Sequence, residues 1–184
     1  MTVITTISSE AEKLQRIHAR FKACFQESHR TGLKGHFPEP VYTPAQKDEL
    51  AMVGYREDFI RSALHEIAHW CVAGEQRRKL EDYGYWYEPD GRGIDRQMAF
   101  YRVETKPQAI EFAFCLALDI PFDVSCDNVG HADVGDQEDF RGRVKCLLKQ
   151  MSFDGFPPRA QIFLADLCQT SDLSWLAEKI KGLE

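Results

Sequence analysis

Residues 62–74 read SALHEIAHWCVAG, with His65 and His69 four apart and Glu66 directly after the first histidine. On a helix, residues four apart share a face with Cβ atoms about 5–6 Å apart, which suits two imidazoles converging on one metal ion. Both histidines fall on the stripe that carries Phe59, Leu64 and Cys71. Two neutral imidazoles on such a stripe need polar partners, and one shared metal supplies both. The bland alternative is an amphipathic helix with two incidental histidines at its edge. Glu66 leaves the helix roughly 100° further round, yet is long enough to reach a metal-bound water. His-Glu-x-x-His is, taken by itself, the pattern of zinc peptidases.

A third ligand must come from elsewhere, and two downstream carboxylates qualify. Glu111 lies inside the apolar run AIEFAFCLAL, where a charge needs a partner or a metal. Glu104 stands near the end of AFYRVET, where a rigid element delivers a side chain to a cleft. The residues alone lean towards Glu111, whose burial is harder to explain otherwise. His131, in a loop rich in glycine and aspartate, is a weaker candidate because a loop histidine is ordinarily solvated. Two imidazoles and a carboxylate serve zinc hydrolysis, and equally form the facial triad of non-haem Fe(II) with positions open for O₂. Ligand types do not separate a zinc-dependent HExxH metallopeptidase from an iron oxygenase.

The carrier of the two histidines is expected to be a helix from about Arg56 to Ala73, stopped at Gly74. A capping box, Ser9 with Glu12, opens an earlier helix that keeps its periodicity to about His29. TGLKGHFPEPVYTP then breaks the pattern, with a short extended piece around Val41 and Tyr42. EQRRKLEDY reads as a further helical piece, and GYWYEPDGRG as an irregular loop or a short strand and turn. AFYRVET has β-prone residues and predicts a strand ending at Lys106, after which Pro107 starts a buried helix. DIPFDVSCDNVGHADVGD is loop-like. Three helices should follow, at about 137–151, about 158–169 opened by Pro157 and Pro158, and about 172–182 capped by Ser171. No repeat, low-complexity tract or linker interrupts residues 1–184. The expectation is α+β: one mainly helical domain with a small β-sheet and a metal-site helix like that of zincins.

Composition excludes other classes. With 29 acidic against 23 basic residues the chain has no broad electrostatic footprint for nucleic acid. Its one compact basic cluster, Arg77, Arg78 and Lys79, is flanked by Glu75, Glu81 and Asp82 and reads as a solvated helix face. The cysteines at 24, 71, 115, 126, 146 and 168 form no C-x-x-C pair, so free, largely buried thiols are expected. No secretory signal or bilayer-spanning stretch is visible, which points to the cytoplasm and to partners other than nucleic acid or membrane.

Four blocks, SALHEIAHWCVAG, DYGYWYEPDGR, VETKPQA and PFDVSCDN, resemble the elongation factor P hydroxylase family in order and spacing. The resemblance is close over about residues 55–130 and looser in the flanking helices. It implies an iron-dependent hydroxylase acting with molecular oxygen on the β-lysylated lysine of translation elongation factor P, completing that factor's post-translational modification. It implies Fe(II) held by His65, His69 and Glu104, which match the family's two histidines and one glutamate. Glu66 would then orient a water or support the ligands as a catalytic residue, rather than serve as a peptidase base. Glu111, if it is not a ligand, would need a contact such as one to a ligating imidazole. Tyr83, Tyr85, Trp86 and Tyr87 could line a slot for a long cationic side chain, with Asp90, Asp123 and Asp127 adding charge; packing is the alternative role for such aromatics. PFDVSCDN could equally be loop scaffold, with Asp127 and Asn128 capping turns. No motif for an electron source or for 2-oxoglutarate is recognisable.

Overall fold

A computed structural model describes residues 9–84, 91–128 and 137–182 of the chain. Helix α1, Glu10–Phe25, opens where the capping box predicts: the Glu12 amide donates to Ser9 Oγ (3.3 Å) and the Ser9 amide to Glu12 Oε2 (2.8 Å). It buries Ile17, Phe21 and Phe25 and ends four residues before His29.

Three strands follow: β1 Thr31–Phe37, β2 Val41–Thr43 and β3 Ala51–Arg56. They form one sheet in the order β1–β3–β2, with β1 parallel and β2 antiparallel to the central β3. Only β2 was legible beforehand. In β1 the glycines that read as breakers serve a close approach: a Cβ on Gly35 would stand 2.6 Å from the Glu57 carbonyl and 2.7 Å from the Tyr55 ring. Tyr55 then reaches His18 Nε2 on α1 through its hydroxyl at 2.7 Å.

Helix α2, Ile60–Val72, starts after Arg56 because β3 uses that residue for the sheet. Phe59, expected on its apolar stripe, is exposed instead. At its far end Arg159 lies over the Trp70 ring, 4.7 Å from its centroid, and donates to the carbonyls of Trp70 (2.8 Å) and Cys71 (3.1 Å). The basic cluster forms a short 3₁₀ turn rather than a helix face, and Arg78 donates to the Ala73 carbonyl (2.7 Å). The backbone is left-handed at Asp82, Tyr83 and Gly84 in succession (φ 46°, 58° and 70°).

The largest departure from expectation is α3, one helix of 25 residues from Ile94 to Leu118. AFYRVET is part of it, not a strand, and Pro107 sits inside it, not at its start. An internal proline costs about 3 kcal/mol in a helix. Here the apolar run from Ala109 to Leu118 is almost wholly buried, and its packing outweighs both that cost and the local β preference. Helices α4 (Gln137–Asp154), α5 (Pro158–Cys168) and α6 (Ser174–Lys181) complete the described residues. The Ser174 amide is taken by Asp172 Oδ1 (2.9 Å), so Ser171 is not the cap of α6.

Phe21, Phe25, Trp70, Phe114 and Phe163 interlock edge-on and tilted between α1, α2, α3 and α5. All six cysteines are free; Cys71 and Cys115 are buried, whereas Cys146 is exposed. No helix among the described residues is long and apolar enough to cross a membrane. The architecture is mainly helical α+β with one small sheet.

Candidate metal centre

Helices α2 and α3 pack with polar side chains facing each other along one seam. Arg61, His65 and His69 follow one another at four-residue intervals on α2; Glu104, Gln108 and Glu111 occupy one face of α3. Arg61 meets Glu111 and His69 meets Glu104, so the helices run antiparallel here. Glu104, Gln108 and Glu111 are each 3% or less exposed, and burying such groups is stable only if every one is paired.

The pairing is specific. His69 Nε2 lies 3.0 Å from His65 Nε2 and 3.2 Å from Glu104 Oε1, and His65 Nε2 lies 3.6 Å from Glu104 Oε2. On its other ring nitrogen, His65 Nδ1 meets Glu111 Oε2 at 2.9 Å. A carboxylate only accepts, so Nδ1 carries a proton, and Nε2 is the atom turned towards His69 and Glu104. Arg61 Nε donates to the other oxygen of Glu111 at 2.6 Å. Gln108 Nε2 donates to Glu104 Oε2 at 3.3 Å.

One donor atom each from His65, His69 and Glu104 lies within 4.8 Å of the other two. Ligands about 2.0–2.2 Å from a metal and about 90–110° apart are separated by about 2.9–3.6 Å. The two Nε2 atoms, 3.0 Å apart, and the distances from them to the two oxygens of Glu104, 3.2 Å to Oε1 and 3.6 Å to Oε2, fall in that range. The donor set fits a divalent metal, which His65, His69 and Glu104 would hold. Glu111 is turned to the back of the His65 ring and does not enter that triangle. His131 lies outside the described residues.

The electrostatics of these residues follow from this geometry. Burial disfavours a charged His65, yet the hydrogen bond and charge of Glu111, with the charge of Glu104, outweigh it and push the imidazole up to about 10. Burial likewise opposes ionisation of Glu104, but the two imidazoles and Gln108 hold its carboxyl down at about 2. Nε2 of His65, the atom that takes up that proton, is also the atom that would bind a cation. Glu66, beside both histidines, sits above the usual carboxylate range because burial outweighs their attraction.

The centre forms part of the wall of a cleft of about 1020 Å³. His65, Glu66, His69 and Glu104 line it with Tyr42, Tyr83, Arg92, Phe100 and residues Asp123 to Ser125. Tyr83 stacks face to face on Tyr42, with centroids 4.3 Å apart, and Tyr42 is fixed at both ends: its amide donates to Asp82 (2.7 Å) and its hydroxyl to the Arg78 carbonyl (2.9 Å). Tyr83 is therefore both packing and cleft wall. Tyr85, Trp86, Tyr87 and Asp90 lie outside the described residues. Asp123 is bound by Arg141 (2.9 Å) and Asp127 faces Arg92 (3.8 Å), so both are partly neutralised where they stand. Asn128 accepts from the Gly91 amide (2.9 Å) and donates to the Arg92 carbonyl (3.2 Å), joining its loop to the start of α3. Arg92 itself, buried against Phe100 and bonded to Gln97, gave no signal in the sequence, and neither did Gln108 or Arg61. Reading residues 94–118 as one helix would have exposed Gln108, because 104, 108 and 111 then share a face.

The family model described as elongation factor P hydroxylase matches residues 20–179. The chain is 45% identical over 151 residues to the elongation factor P lysine hydroxylase of Haemophilus influenzae (strain Rd), covering 81% of this chain and 84% of the relative.

Proposed function

We propose, from the premise that this chain belongs to the elongation factor P hydroxylase family, that it hydroxylates a lysine of translation elongation factor P. In this reading His65, His69 and Glu104 hold Fe(II), and residues 1–184 act as one domain. The substrate is the factor carrying a β-lysylated lysine, molecular oxygen is the oxidant, and the work takes place in the cytoplasm, where translation factors are used. The observation that carries the proposal is the convergence of two Nε2 atoms and one carboxylate on a cleft wall, with Glu111 spent on His65.

Bound iron would supply the oxygen chemistry that replaces a C–H bond of the substrate lysine by C–OH. The protein's own residues do the positioning. Glu111 keeps the proton on His65 Nδ1 and so keeps Nε2 available as a ligand. Gln108 holds Glu104 from its second oxygen. The cleft is large enough for a long, two-lysine side chain, and the Tyr42–Tyr83 pair gives its ammonium groups an aromatic face. Glu66 lies beside the ligands at the cleft, where it can orient a water or the substrate's amine, and we assign it that catalytic role.

The test is mass analysis of β-lysylated elongation factor P after aerobic, reducing incubation with Fe(II)-loaded protein. One added oxygen, lost in His65→Ala and Glu104→Ala, is the expected result. No added oxygen, together with peptide cleavage abolished by Glu66→Gln, would replace this reading by a zinc peptidase.

A further inference from the structure

Two of the proposed ligands are fastened, through different side chains, to one short stretch of the cleft wall. The first arm begins at His65, whose Nδ1 donates to Glu111 (2.9 Å); Glu111 accepts from Arg61 Nε (2.6 Å), and Arg61 Nη2 donates to the Asp123 carbonyl (2.8 Å). The Arg61 guanidinium also lies over Phe122, 4.7 Å from its centroid, and Phe122 stacks on Phe112 of α3 at 4.2 Å. The second arm begins at Glu104, held by Gln108 Nε2 (3.3 Å). The same amide group donates to the Ser125 carbonyl (2.8 Å) and accepts from the Ser125 amide (3.0 Å).

Gln108 is fully buried and spends its oxygen and both N–H groups on these three bonds. A glutamine that only pinned a loop would need two of them. Its third bond goes to a ligand carboxylate. Arg61 is divided in the same way, one nitrogen to the partner of His65 and another to the wall. Asp123, Val124 and Ser125 all line the cleft, and Arg141 of α4 holds the Asp123 carboxylate from behind at 2.9 and 3.0 Å.

We propose that Gln108 and the Arg61–Glu111 pair are positioning residues that make the wall segment Asp123–Ser125 part of the metal site. A substrate seated against that segment then acts on Glu104 and His65 together, through two fixed hydrogen-bonded arms. The inference rests on the proposed metal set and goes beyond it by naming the side chains through which substrate occupancy reaches the metal.

The test uses Co(II) as a spectroscopic probe in the full-length protein. Gln108→Leu and Arg61→Lys should each weaken Co(II) binding by about 10–100-fold, the usual cost of losing a residue that orients a ligand. Adding β-lysylated elongation factor P should shift the Co(II) absorption bands of the wild type. The shift should be lost in both variants under conditions where titration by intrinsic fluorescence still shows the factor bound. A purely structural role for the arms would not separate binding from the spectral shift. Wild-type Co(II) affinity and an unchanged shift in the folded variants would overturn the proposal, as would a wild-type spectrum that ignores the bound factor. If Gln108→Leu does not fold, Arg61→Lys carries the test, since that side chain is 35% exposed and its replacement keeps the charge. Failure of the hydroxylase reading is seen separately, as normal Co(II) responses in a protein whose Fe(II) form adds no oxygen.

Discussion

Raising the pH should destabilise the metal-free protein and spare the metal-loaded one, and the size of the effect follows from His65. Its imidazole, 18% exposed, is raised from 6.5 to about 10 despite burial, chiefly by Glu111 and then by Glu104. A folded-state pKa above the unfolded one stabilises fully below the unfolded value, and that stabilisation is lost as pH climbs towards the folded value. Between about pH 6.5 and about pH 8.5 the loss integrates to roughly 2 kcal/mol. For a protein of this length that is a fall in Tm of roughly 4–8 °C. Glu104 works in the opposite direction: its carboxyl is held down at about 2, so its share is present above about pH 4.5 and disappears only in acid. Metal takes the place of the proton on Nε2 and binds more tightly as pH rises, so the loaded protein should show a flat or rising Tm over the same interval. The assay is a pair of thermal melts, with chelator and with saturating Fe(II) or Co(II), across that range in one buffer series. Comparing the two cancels the titrating groups that lie away from the metal. Glu111→Gln, which takes away the main group raising His65, should flatten the metal-free curve. Parallel curves with and without metal would refute the reasoning, because proton and metal would then not compete for one site.

Three further outcomes are expected. Glu104→Ala should purify without stoichiometric metal, whereas Glu111→Ala should keep a site weakened by about 10–100-fold, as measured by metal analysis after dialysis. Arg159→Met removes a charged donor from the carbonyls of Trp70 and Cys71 at the end of α2, and should cost about 2–4 kcal/mol in a denaturant titration while loosening the metal through His69. Tyr83→Leu keeps the buried bulk but loses the stack on Tyr42, worth about 0.5–1.5 kcal/mol. Its KM for the modified factor should rise several-fold with kcat nearly unchanged.

Local rules were good guides wherever local chemistry decided the outcome. Ser9 and Glu12 announce α1 because a capping box satisfies its own amides. His65 and His69 announce a shared face because any helix through them must provide one. The same rules failed at residues 99–107, where β-prone side chains and a proline argue for a strand and a new start. The energy that overrides them lies in α3's burial against its neighbours, which no window of sequence contains. Strands β1 and β3 were missed for a related reason: Gly35 is a breaker by composition, and becomes a requirement only when the Tyr55 ring of another strand lies across it.

The donor types and the four-residue spacing of the imidazoles were therefore present in the sequence alone, but those types serve zinc hydrolysis and iron–oxygen chemistry equally. For the carboxylate, local chemistry leaned towards Glu111 and only the family resemblance pointed to Glu104. Glu104 and Glu111 are seven residues apart, about 10.5 Å along a helix, and so cannot both face one point. The antiparallel packing of α3 on α2 sets Glu104 against the paired Nε2 atoms and Glu111 against Nδ1 of His65 and Arg61. That choice belongs to the register between two helices, and register is a property of the folded core.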